Sequence, residues 1–514
     1  MDNLKGPIIL FVFLGVVMLV WFFGKSFLFD KDQIDSSDAG QTYKLKVAGD
    51  GYLGYWFLSS PKMRSMGPKR GFRVDFTDDG GAYSDRLSKF NKGKYDCIVL
   101  PINSYLQHAK QYKYPGVIIA AISESKGADA LVGHADVMPN DKINDLNNSN
   151  LKITYTSESP SSFLLDLLIT DFDFDQLRDN DLWRKEVGSS EEAYELAKKS
   201  LNDRSYGDAF VMWEPEVSKA INKLNLKKLW GSDQFNGYIV DVFVFHRDFV
   251  LDNPEVIKNF LSTYFRVIDY YVGNKEEMIK EMSNMTRIPK AAVANMVNNI
   301  DWFDLQENAF QQFGVKDNTG AYSEDRIVSS ILACANILQH SGKDDFSSMD
   351  PYVLLNSSFL EDVLNAGIGS LNNNSTQQVI FESRPADEWK KMHEVGTMRI
   401  EPITFQSGTN HLDYNGKEII DRVSGLLKNN YPNYRVIIRG HTSPGDKEAN
   451  LKLSQKRADI VKKELMDLGM NEFRFLSEGV GSYKPPKQES SESFRAFRTR
   501  MSRVEFILVE ENAL

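Results

Sequence analysis

The chain has 514 residues, with 61 basic against 71 acidic side chains, a formal net charge of -10, and 42% hydrophobic and 12% aromatic residues. At ~150 residues per domain this is material for about two to four domains with ordinary cores. The acidic balance argues against a nucleic-acid partner, which calls for a basic face to displace counterions from phosphates. Two cysteines exclude a disulfide framework or a cysteine-rich zinc module. The seven histidines (His108, His134, His246, His340, His393, His411 and His441) stand singly, without ligand spacing, so neither metal nor cofactor is expected.

The N-terminal segment Pro7–Gly24 reads PIILFVFLGVVMLVWFFG and carries no charge. At ~1.5 Å per residue it spans ~27 Å as a helix, the short end for a hydrocarbon core. Trp21, Phe22 and Phe23 close it with interfacial aromatics. FFGKSF offers no small-residue cleavage site, so the segment reads as an uncleaved single-pass anchor, with a cleaved signal peptide as the alternative. Asp2, Lys5 and Lys25 leave its orientation open, and the absence of Asp or Glu opposes ion conduction. Residues 1–6 form a short tail and 25–42 a polar linker.

From residue 43 the pattern alternates strand and helix, the signature of a helix-covered, largely parallel sheet. Strands are predicted at YKLKVAG, 94–101, 117–123, 151–156, after 207 and over 238–246. Ser159 caps a predicted helix with Pro160 at its first position, and Asn253 and Pro254 open another. Cys97 and Cys334 read as buried single thiols.

Gly127-Ala128-Asp129-Ala130-Leu131-Val132, Trp213-Glu214-Pro215-Glu216 and IVDVFVFHRDFVLDNPEVIKNFLSTYF resemble the nitrate/sulfonate/taurine-type periplasmic solute-binding proteins of ABC transporters. The resemblance implies two α/β lobes over 43–366, lobe 1 at 43–130 plus 240–366 and lobe 2 at 131–237, with a ligand cleft between them. In such sheets ligands sit beyond strand carboxyl ends. That places the cleft at Asp50, Gly51 and Tyr52, at Asn103 and Ser104, at Ser159, Ser161 and Ser162, at Trp213 and Glu214, and at Asp129 and Asp241 on the implied crossovers. The serines point hydroxyls and free N–H groups at one spot, an anion-type site. Glu158 and Glu214 would disfavour an anion if both faced the cleft, leaving a cationic or zwitterionic solute, or none.

Asn372–Gln378 lies in a polar connector placed over 367–394. Beyond it come a predicted strand (399–405), helix (414–429), strand (434–440), helix (451–468), strand (473–479) and a basic final segment. Phe405 with Ser407-Gly408, Arg439-Gly440-His441-Thr442, Asn450 with Leu453-Ser454, Arg457-Ala458, Gly479 with Gly481, and Arg503-Val504-Glu505 resemble the OmpA-like domain over 395–510. That family implies a peptidoglycan grip in which an Asp after the His-Thr pair and the helix Arg hold the diaminopimelate side chain. Here Arg457 fills the arginine position and Ser443 the aspartate position. Asp446 is a candidate substitute, and Met501 and Ser502 stand where Asn and Arg are expected.

The expected assembly is a bacterial inner-membrane protein with a cytoplasmic N-terminus and a periplasmic bulk. A receptor ~50 Å across plus an extended linker places the last domain on the order of 100 Å from the membrane. Its expected partners are peptidoglycan, an unidentified small solute, the membrane, and an ABC permease or another envelope protein. No catalytic motif stands out, so a non-enzymatic receptor is expected. The alternative is a structural tether or docking scaffold without a small-molecule ligand.

Overall fold

The computed structural model describes residues 42–316, 325–367, 379–406 and 411–511, apart from 484, 486–487 and 489–491. The predicted anchor, nearly all of the linker after it, the Asn372–Gln378 tract, Ser407 and Gly408 lie outside these residues. Among the described residues no helix is long and apolar enough to cross a membrane.

The chain builds β1 (Tyr43–Gly49), β2 (Phe72–Asp78), β3 (Cys97–Pro101) and β4 (Gly116–Ser125), then crosses to a second sheet. That sheet holds β5 (Asp129–Gly133), β6 (Ile153–Thr156), β7 (Arg184–Val187), β8 (Ala209–Trp213) and β9 (Lys227–Gly231). A return passage through Asn236–Ile239 leads back to β10 (Val240–His246) and β11 (Ile300–Trp302). The first sheet has the order β11-β4-β10-β3-β1-β2 and the second β7-β6-β8-β5-β9. Within each, β1 to β3 and β6 to β8 run parallel, whereas the crossing strands β5 and β10 are antiparallel to their neighbours. β4 (GVIIAAISES) is buried along its whole length, as a strand covered on both faces must be. Cys97 and Cys334 are free and buried, and Cys334 donates to the Tyr238 carbonyl at 3.3 Å.

The third sheet, β12 (His393–Met398), β13 (Arg435–Gly440), β14 (Phe475–Gly479) and β15 (Val504–Glu510), has the order β12-β15-β13-β14. The Lys447–Asp467 helix lies directly on it because Gly440 and Gly479 leave room. A Cβ on Gly440 would come 2.1 Å from the Ser454 carbonyl oxygen, and one on Gly479 would come 2.3 Å from the Gln455 nitrogen. Two expectations shift here. The strand expected over 399–405 lies at 393–398, because the chain leaves the sheet where Arg399 N–H donates to the Asp171 carbonyl at 2.7 Å. The helix begins four residues earlier than 451, because the Asp446 carboxylate accepts from Ala449 N–H and caps it. Likewise Asn253 holds the N-cap position of its helix without a side-chain capping hydrogen bond.

This domain sits on lobe 2 and on the return passage. Thr397 N–H donates to Asn144 at 3.2 Å, Lys142 pairs with Glu394 at 2.8 Å, and Asn236 and Asn430 exchange hydrogen bonds of 2.8 and 2.9 Å. At the centre, Tyr238 and Tyr431 hydroxyls each donate to one oxygen of Asp171 at 2.7 Å, and all three side chains are buried. Asp171→Ala is expected to cost about 1–3 kcal/mol for each hydroxyl left without an acceptor, measured by urea unfolding. Burial raises the Asp171 carboxyl to about 6, against opposing hydrogen bonds from both tyrosines. Its contribution to stability is therefore full below pH ~4 and is lost as pH rises to about 6, a slope that Asp171→Asn should abolish.

Candidate functional site

The two lobes meet over a cleft of about 320 Å³, open mouth included. Ladder register brings its walls together. Asp50 follows β1; Pro101 ends β3 opposite Asp241 on β10; Trp213 ends β8 opposite Asp129 on β5. Tyr52 and Tyr55 come from the turn after β1, Tyr83 and Pro160 from the first positions of two helices, and Ile239 from the return passage. The lobes touch beside the cleft: His108 Nε2 lies 3.3 Å from the Glu158 carbonyl, and Lys343 reaches Asp166 at 2.9 Å.

The cleft is acidic, and its nearest cation is already engaged. Arg86 is fully buried and donates to Asp79 (2.7 and 2.5 Å), Asp50 (3.1 Å) and the Val99 carbonyl (2.6 Å). Burial opposes its charge, but these acidic partners outweigh that and hold it protonated. Burial pushes Asp129 up to about 7, assisted by Asp50 and Glu214 and opposed by a 2.7 Å hydrogen bond from Ser125. Burial likewise drives Asp241 well above the ordinary carboxylate range, although the Tyr55 hydroxyl donates to it. Tyr83 stacks on His108 with ring centroids 6.3 Å apart, and the Arg86 guanidinium lies 4.8 Å over its ring.

Of the residues expected in the cleft, Asp50, Tyr52, Asp129, Trp213 and Asp241 line it together. Gly51 is exposed in a bend beside them. Asn103 and Ser104 are buried in the Ile102–Ala109 helix, with Asn103 Oδ1 and Ser104 Oγ lacking a hydrogen-bond partner. The serine corner departs from an anion site. Ser159 and Ser162 close a capping box on their own helix, while the Ser161 hydroxyl is buried without a partner. Glu214 is buried away from the cleft, accepting from Ser218 at 2.7 Å. The acidity therefore comes from Asp50, Asp129 and Asp241 rather than from Glu158 and Glu214. Sequence reasoning missed Tyr55, Tyr83, Arg86 and Ile239. Asp78-Asp79-Gly80-Gly81 ahead of Tyr83, a strand-to-helix turn with both glycines at positive φ, was the available signal. Among the described residues no group of three or more His, Cys, Asp or Glu side chains is arranged to hold a metal ion.

In the third domain Arg457 is half-buried, donates to Ser502 Oγ at 2.6 Å, and lies 4.9 Å over the Phe405 ring. It pairs with no carboxylate among the described residues, and burial alone lowers its pKa. Asp446 is taken up by capping, and the Ser443 carbonyl accepts from Asn450 at 3.1 Å. Ser454 receives Gly481 N–H at 2.9 Å and Leu453 is partly buried. Thr442 N–H donates to the Gly481 carbonyl at 2.9 Å, with its hydroxyl buried and unpartnered. His441 Nε2 lies 2.9 Å from Glu505, which Arg503 also pairs with. Burial would raise Glu505, but these two neighbours outweigh it and hold the carboxyl at about 2. His441 and Arg503 are thus joined to Glu505, whereas Arg457 presents an unneutralised charge.

Residues 404–499 match the model of the OmpA family. Over 100 residues the chain is 32% identical to the probable lipoprotein YiaD of Escherichia coli K12, a match covering 19% of this chain and 45% of that one. The chain thus spans less than half the length of that curated relative. Among solved structures it is similar to the periplasmic nitrate-binding protein NrtA from Synechocystis PCC 6803, at 11% identity and a TM-score of 0.47, covering 63% of this chain and 89% of that one. It is also similar to the alkanesulfonate-binding protein SsuA from Xanthomonas axonopodis pv. citri bound to MOPS, at 11% identity and a TM-score of 0.44, covering 63% and 99%. The desulfurization enzyme DSZB is another such neighbour, at 10% identity and a TM-score of 0.41, covering 63% and 99%. These structural likenesses assign neither a ligand nor a reaction.

Replacing Arg86 by Met would leave Asp50 and Asp79 uncompensated in a buried setting. We expect a loss of about 3–5 kcal/mol, read from the chemical denaturation midpoint of the full chain.

Proposed function

We propose that this chain is a non-enzymatic envelope receptor. A small solute is bound between the lobes of 43–366, and the OmpA-like domain of 395–510 holds the chain to peptidoglycan. Pro7–Gly24 serves as its single inner-membrane anchor, with the tail cytoplasmic and the bulk periplasmic. An ABC permease or another envelope protein is the natural recipient of the solute. The observation that carries this reading is the cleft itself, where residues of both lobes converge on one partly open, polar and aromatic space.

The wall-binding half rests on Arg457, a planar cation suited to forking onto a stem-peptide carboxylate and left without a carboxylate partner among the described residues. A second reading, a tether whose receptor domain takes no ligand, is favoured by the seat of the third domain on lobe 2, which makes the periplasmic part a spacer.

Thermal unfolding against a solute panel separates the two. A receptor gains ~2.7 kcal/mol at a ligand concentration 100 times its Kd, whereas the tether gains nothing. For the wall, the full chain is expected to co-sediment with peptidoglycan sacculi and Arg457→Ala to remain in the supernatant. An unmodified chain that stays soluble overturns wall binding.

A further inference from the structure

We infer that the cleft takes an organic ammonium cation, whose charge faces Asp50, Asp129 and Asp241 and whose alkyl groups face Tyr52 and Trp213. The inference rests on the receptor reading and specifies its solute class.

Three carboxylates from different strand ends line one small cavity, and no lysine or arginine does. The adjacent cation, Arg86, is shared between Asp50 and Asp79, and Asp79 adds a further carboxylate behind the wall. A cation entering this space would favour the ionised forms of Asp129 and Asp241, which burial disfavours in the cleft, whereas an anion would meet no lysine or arginine among the lining residues.

The hydrogen bonding also leaves a vacant acceptor. Asp129 accepts a side-chain hydrogen bond at Oδ2 from Ser125, and Asp241 accepts one at Oδ1 from Tyr55. The second oxygen of Asp129 receives no hydrogen bond from the described residues, and Ser123 lies beside Asp241 as a further donor. Tyr83, only 7% exposed, lines the same cavity with a hydroxyl that no described residue partners. A primary ammonium, as in putrescine, can donate an N–H to the free Asp129 oxygen, whereas a quaternary one, as in choline, would face the carboxyl groups as a charge alone.

The aromatic walls decide between an organic cation and a compact metal ion. Tyr52 and Trp213 line the cavity, and aromatic side chains suit a weakly hydrated, alkylated cation through cation–π contact. A divalent ion instead requires a closed shell of oxygens at 2.0–2.6 Å, as a general rule of such sites.

The full chain is unfolded thermally at pH 8 with choline, putrescine, glycine betaine, nitrate, methanesulfonate or Ca²⁺ in turn. Choline or putrescine is expected to raise the Tm, with nitrate and methanesulfonate silent. Asp129→Asn and Asp241→Asn, which preserve shape and an acceptor oxygen, should each weaken the cation by about tenfold or more. They should leave the ligand-free Tm unchanged or higher, because each removes a buried carboxyl whose ionised form burial disfavours. A purely structural role predicts a lower ligand-free Tm with the cation response intact, and that result overturns the inference. Stabilisation by nitrate, methanesulfonate, glycine betaine or Ca²⁺ with choline and putrescine silent also overturns it, while sparing the receptor reading. Silence in every arm overturns both.

Discussion

One carboxylate oxygen joins three parts of this molecule. Asp171 closes the Pro160–Asp171 helix of lobe 2, Tyr238 lies on the return passage to lobe 1, and Tyr431 belongs to the third domain. The constraint is tight because both tyrosine hydroxyls are buried and have no cheap alternative to this acceptor. The same elements reach the cleft. Pro160, at the other end of the helix, lines it, and Ile239 and Asp241 follow Tyr238 within three residues. Over the 12 residues of that helix, at ~1.5 Å each, the junction and the cleft are ~18 Å apart along one rigid rod. The third domain is therefore seated on the elements that define the cleft, rather than hung from a free end.

The cleft's charge follows from how its sheets are built. Crossing strands must enter a sheet from the cleft side, so their first residues face it. Here those residues are Asp129 and, one position into β10, Asp241. Asp50 leaves β1 at the same level. Arg86 fixes Asp50 from behind and is consumed in doing so, since its forked guanidinium also serves Asp79 and the Val99 carbonyl. A buried arginine here organises the wall without neutralising the space in front of it.

The strands of both lobes could be read from apolar runs such as VIIAAIS and YIVDVFVFH, because buried parallel or central strands are hydrophobic throughout. The capping of the Pro160 helix was equally legible, because Ser-Pro-Ser-Ser writes it locally. Five cleft residues were legible from strand ends and implied crossovers. Arg86, Tyr83 and Tyr55 were not, because their position depends on contacts to Asp79, His108 and Asp241 that lie seven to 186 residues away. The serine corner misled for a related reason: hydroxyls near a helix start serve the helix's own backbone first. The early end of β12 was invisible as well, since it is imposed by an acceptor on another domain, the Asp171 carbonyl.

The departures from the OmpA-like pattern in the third domain compensate one another in charge while changing its character. The resemblance expects an acid at position 443 and a base at position 502, and this chain has serine at both. The sum of the two positions is unchanged, yet Arg457 loses both a carboxylate that would share its ligand and a like charge that would repel it. What remains is a single guanidinium, steadied by the Ser502 hydroxyl and the Phe405 ring. A zwitterionic group would find only half of its complement there, whereas a carboxylate finds all of it. On the wall-binding reading, then, this site depends more on its ligand's negative end and less on its ammonium end than the pattern it resembles, and added salt should weaken it accordingly.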